Sequence, residues 1–100
     1  MKTAALLLTL FALETSAHAF NIQARCEFVP AEGRCTVLNQ WARPIRCELF
    51  ARGQVSSGAY LNESVAGVLL PGQWAYVTVY ANNPEVDPLV FVTGNANCAF

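Results

Sequence analysis

Cys26, Cys35, Cys47 and Cys98 carry the most versatile side-chain chemistry in this 100-residue chain. Four thiols can hold a metal, attack a substrate or close two disulfides, and spacing separates these options. No C-x-x-C pair occurs, and the single histidine, His18, lies in the amino-terminal segment, so a zinc site lacks its usual donors. An even cysteine count in a short chain reads instead as two disulfides. Three connectivities are possible, and position along the chain ranks them. Ala24-x-Cys26-x-Phe28 and Ala96-x-Cys98-x-Phe100 share one pattern. If the first and last strands run side by side in parallel, their late positions meet, which favours Cys26–Cys98. The remaining pair, Cys35–Cys47, lies symmetrically about Trp41. The alternative, Cys26–Cys35 with Cys47–Cys98, would staple the first hairpin, and it stays open.

Other reactive groups are scarce. Beyond residue 19 the chain has neither lysine nor histidine. That excludes a Ser-His or Cys-His nucleophile pair, a Schiff-base lysine and a phosphate-loop lysine. Glu85 and Asp87 form a carboxylate pair, but Pro84 and Pro88 flank them and the segment reads as a solvated turn. No enzyme activity is expected, and no cofactor or metal. Over the same span five arginines face six carboxylates, a net charge of −1. Nucleic-acid binding normally needs a marked basic excess, and so does an anionic membrane surface. Neither partner is expected. What remains is a surface with which to bind protein.

The start of the chain reads as an address. Lys2 gives a positive start, Ala4–Leu13 is apolar apart from Thr9, and Ala17-His18-Ala19 is the small-x-small triplet cut by signal peptidase. The run is shorter than the roughly 20 apolar residues of a membrane anchor. Phe20, not cysteine, follows the cut, so no lipid anchor is indicated. The expectation is a signal peptide over residues 1–19 and one domain over residues 20–100. The mature chain would be periplasmic or extracellular, free of the membrane, and in a compartment where disulfides persist.

The remaining residues alternate with the period of strands. Phe20, Ile22, Ala24, Cys26 and Phe28 share one face of a first strand, with Asn21, Gln23, Arg25 and Glu27 on the other. Further strands are expected at Cys35–Asn39, Ile45–Arg52, Ala59–Asn62, Val65–Leu70, Trp74–Ala81 and Leu89–Asn95. Turn residues such as Pro30-Ala31-Glu32-Gly33 and Pro71-Gly72 separate them. About seven short antiparallel strands with two disulfides predict an all-β fold, a small immunoglobulin-like β-sandwich. A closed small barrel is the rival. Leu69-Leu70-Pro71-Gly72 followed by Val77 and Val79 resembles the strand-turn-strand passage of immunoglobulin-like domains in bacterial exported proteins.

Parity then assigns a candidate face. With Cys47, Leu49 and Ala51 inward, Arg46, Phe50 and Arg52 point out. With Val77 and Val79 inward, Trp74, Tyr76 and Tyr80 point out; with Val90 and Val92 inward, Phe91 does. If these three strands share a sheet, one outer face carries Arg46, Phe50, Arg52, Trp74, Tyr76, Tyr80 and Phe91, a composition typical of binding hot spots. The opposite parity on the sixth strand would put Trp74, Tyr76 and Tyr80 into the core instead. Trp41 reads as a hydrophobic lid over the Cys35–Cys47 region. The function expected is a non-catalytic protein-binding or accessory module, engaging an unknown protein partner or its own copy. The alternative is a small secreted hydrolase inhibitor.

Overall fold

The structure, a computed structural model, describes residues 19–100; the expected signal peptide up to His18 lies outside the described residues. Seven strands follow one another: β1 Ala19–Gln23, β2 Arg25–Phe28, β3 Glu32–Leu38, β4 Ile45–Val55, β5 Tyr60–Leu69, β6 Trp74–Tyr80 and β7 Leu89–Ala99. They form a four-stranded sheet in the order β1-β7-β4-β5 and a three-stranded sheet in the order β2-β3-β6. Every pairing is antiparallel. The fold is thus all-β, an immunoglobulin-like sandwich in its strand order. The three-stranded sheet takes the places of strands A, B and E, while β7, β4 and β5 take those of F, C and C′. β1 lies beside β7, where the last strand of such a sandwich would lie.

The alternating first segment behaves differently from a single strand. It is divided at Ala24: β1 pairs with β7 in one sheet, and β2 pairs with β3 in the other. The Ala24 N–H donates to Gly94 O at 3.1 Å, which satisfies the backbone at the crossing point. This division overturns the preferred disulfide pairing. β1 and β7 run antiparallel, not parallel, and Cys26 lies on β2 in the sheet opposite Cys98. The bonds formed are Cys26–Cys35 and Cys47–Cys98, each with Cα atoms 4.1 Å apart. Both join directly opposed residues of neighbouring strands, so both lie within a sheet instead of across the core.

Two further expected strands, Ala59–Asn62 and Val65–Leu70, merge into the single strand β5. The β5–β6 connection is a type II turn in its residues and geometry. Gln73 N–H donates to Leu70 O at 3.0 Å, Pro71 presets the first corner, and Gly72 takes φ 80°, which an L side chain rarely adopts.

The core lies where alternate residues of β3, β4, β6 and β7 meet. Val37, Ile45, Leu49, Val77, Val79, Leu89, Val92 and Ala96 are buried there beside three of the cysteines. The strict period of two breaks once. β7 carries an irregularity where Gln54 faces Phe91 but Val55 faces Leu89, leaving Val90 over. Leu89 and Val92 both turn inward in consequence, and Val90, expected in the core, is exposed.

Candidate binding surface

On β6 the parity question is resolved by its neighbours. β6 pairs with β3 such that Val77 faces Cys35 and Val79 faces Gly33, all four buried. Trp74, Tyr76, Thr78 and Tyr80 therefore turn outward. Trp74 is 61%, Tyr76 59% and Tyr80 63% exposed, so the aromatic stripe is surface and not core. Arg34 on β3 lies over the Tyr76 ring, 4.9 Å from its centroid, and adds a cation–π contact to one edge of the row.

The seven candidate residues do not form one face. β4 and β7 are neighbours, and they bring Arg46, Phe50, Arg52 and Phe91 onto the outer side of the four-stranded sheet. β6 belongs to the other sheet, so Trp74, Tyr76 and Tyr80 look out from the opposite side of the sandwich. The expectation that the three strands share a sheet fails because the sixth strand follows the β5–β6 turn across the core. Parity along a strand is a local property, whereas sheet membership depends on where each connection lands.

Outward residues of the four-stranded sheet stand in rows set by the register. Gln23, Asn95, Phe50 and Ser64 make one row across β1, β7, β4 and β5; Thr93, Arg52 and Asn62 make the next. With neighbouring backbone they line a shallow groove of about 720 Å³. Arg52 is committed within it, its Nε–H donating to Asn62 Oδ1 at 3.2 Å and its guanidinium lying 4.6 Å from the Tyr60 ring centroid. Tyr60 is an exposed aromatic that parity did not bring forward, because the β4–β5 register was unknown.

Trp41 does not project alone. Its ring packs on Phe20 with centroids 4.8 Å apart and on Phe100 at 6.1 Å. Phe20 and Phe100 are themselves 5.0 Å apart, and Arg43 lies 4.4 Å from the Phe100 centroid. This cluster clasps β1 to the end of β7. Phe20, the residue after the expected cut, thus belongs to the clasp.

Two polar centres outside the aromatic faces fix the loops. Asn39 is buried, and all its polar atoms are used: Nδ2 donates to Arg43 O and Leu69 O at 2.9 Å each, and Oδ1 accepts from Trp41 N–H at 2.9 Å. Its backbone bonds to Gln73 and Gly72 of the β5–β6 turn. Asp87, half of the carboxylate pair, clamps the β4–β5 turn. Its Oδ2 accepts from Ser57 Oγ at 2.8 Å, and its Oδ1 from Ser57 N–H at 2.7 Å and Ser56 Oγ at 2.9 Å. The Ser57 hydroxyl, then the Ser57 amide, hold this carboxyl below its ordinary pKa. Asp87 is a turn clamp, and Glu85 points to solvent beside it. No group of three His, Cys, Asp or Glu side chains that could hold a metal occurs among the described residues.

Comparison with known proteins gives no family. No family model matches the chain, and no curated protein matches it. Among solved structures, the trimeric lipoprotein SadB of Salmonella enterica aligns over 97% of this chain and 67% of its own, at 14% identity and a TM-score of 0.32.

Proposed function

We propose that this protein is an exported, non-catalytic binding module that engages a protein partner across the outer face of β6. The observation that carries the reading is the row Trp74, Tyr76 and Tyr80, each about three-fifths exposed on one edge strand. The fold does not need aromatic residues there: Thr78 fills an equivalent outward position between them. Three large rings in water are costly to keep, and an exposed apolar patch of this kind marks an interaction site on a small domain. Trp, Tyr and Arg34 together supply broad contact area with little side-chain entropy to lose, the usual make-up of an interface centre. Two disulfides in one small domain support export, because structural disulfides are common in oxidising compartments and rare in the cytosol. The absence of lysine and histidine after residue 19 supports a role without catalysis.

The test is affinity capture from the exported fraction of the native cell, using the wild-type chain and a Trp74→Ser, Tyr76→Ser, Tyr80→Ser variant. The variant is expected to melt as wild type does, since its changes lie outside the core. A protein held by wild type and released by the variant supports the reading. Capture that the variant leaves unchanged, or no specific capture by either, removes it.

A further inference from the structure

We infer that the free edge of β5 pairs with β5 of a second copy, joining two four-stranded sheets into one continuous sheet of eight. The inference rests on features of β5 and not on the aromatic row of β6.

Among the described residues, β5 is bonded along one side only, to β4. That ladder runs without a break from Ile45–Leu69 to Gln54–Tyr60. The other side of this ten-residue strand offers the backbone N–H and C=O of alternate residues to whatever lies beside it. Sandwich edges are normally blunted by brevity, charge, proline or a bulge. On the opposite flank this holds: β1 has five residues and β2 has four, with Arg25 and Glu27 on the latter. β5 is long, has no proline, pairs with β4 without a bulge, and carries a single charge, Glu63. Its faces are open as well. Val65 lies opposite Leu49, on the side that should be core, yet it is 44% exposed. Glu63 and Gly67 share that side and are exposed too, so the three-stranded sheet leaves the middle of this strand uncovered, although Leu61 and Leu69 pack on the core.

The occupant must pair as a strand and tolerate this sequence, and the sequence tolerates itself. In an antiparallel pair centred on Val65, each Val65 stands against its own copy. Leu61 faces Leu69 and Ser64 faces Ala66, while Glu63 faces Gly67, which has no side chain to repel or bury it. The two Glu63 carboxylates are then four residues apart along the strands, about 13 Å, beyond the screening length of about 8 Å at physiological salt. A two-fold pairing of this kind closes on itself and leaves no further β5 edge exposed.

Sedimentation equilibrium of the purified disulfide-bonded protein, from about 5 to 500 µM, reads the association directly. The expected result is a reversible monomer–dimer equilibrium, weakened at least about tenfold in Val65→Lys with an unchanged melting curve. Val65→Cys is expected to form a reducible covalent dimer under mild oxidation, since position 65 meets its own copy. A chain that stays monomeric throughout overturns the inference. So does a dimer that survives Val65→Lys, or one lost on Tyr76→Ser instead.

Discussion

Asn39 shows how one side chain can tie together segments that share no ladder. Its carboxamide spans Trp41, Arg43 and Leu69, and its main chain holds the β5–β6 turn. Leucine fits the apolar surroundings but would leave two carbonyls and one N–H without partners in a buried site. Each such orphan costs about 1–3 kcal/mol, so Asn39→Leu should destabilise by roughly 2–4 kcal/mol after relaxation. Urea denaturation reads this directly, and a loss below about 1 kcal/mol would show that water reaches the site. Asp87 makes a pH-dependent contribution of the opposite kind, at the surface. Its folded pKa is held below the ordinary value, so the turn is fully clamped at neutral pH. The clamp is lost as the pH falls through the depressed value, where the carboxylate takes up its proton. Amide exchange at Ser57 should therefore be slow in wild type at neutral pH and fast in Asp87→Asn. In strong acid the two proteins should exchange alike; a difference that persists there would assign the protection to something other than this carboxylate.

At the scale of strands, the sequence carried the alternation well and the partnerships poorly. Outward parity is correct for Arg46, Phe50, Arg52, Trp74, Tyr76, Tyr80 and Phe91, because neighbours two apart share a face wherever a strand is regular. Val90 departs because β7 is bulged, and a bulge depends on the facing strand. Ala24 offers no breaker to announce the switch between sheets; its alternation continues through both β1 and β2. Gly94 holds the signal that was available but not read. A Cβ there would lie 2.7 Å from Phe50 O and 2.9 Å from Cys35 Sγ, so β7 and the Cys26–Cys35 bridge approach as closely as they do only over a glycine. Gly94→Ala should push β7 off β4 or move the bridge, at a cost of about 1–3 kcal/mol. A thermal melt within error of wild type would mean that the sheets have more room than this packing implies.

For the molecule as a whole, the two disulfides have unequal duties. Cys26–Cys35 closes a separation of 9 residues inside one hairpin, whereas Cys47–Cys98 closes 51 and joins the central strands of the larger sheet. The preferred sequence pairing missed this because it took β1 and β2 as one strand, which set Cys26 beside the chain end. Once the segment divides between sheets, each cysteine has one directly opposed partner. Trypsin offers a direct check, since cleavage after Arg25, Arg34, Arg46 and Arg52 puts each cysteine on its own peptide, and Arg43 is protected by Pro44. Unreduced digestion should link the peptide of residues 26–34 to that of residues 35–46, and the peptide of residues 47–52 to that of residues 53–100. Chain entropy then ranks the bonds: removing the longer closure should cost about 4 kcal/mol and the shorter about 2.5 kcal/mol. Double serine variants, Cys47→Ser with Cys98→Ser and Cys26→Ser with Cys35→Ser, compared by urea midpoint, test the order. If the shorter closure proved the costlier to lose, the dominant role of the Cys26–Cys35 bridge would be its packing under Gly94, not the entropy it removes from the unfolded chain.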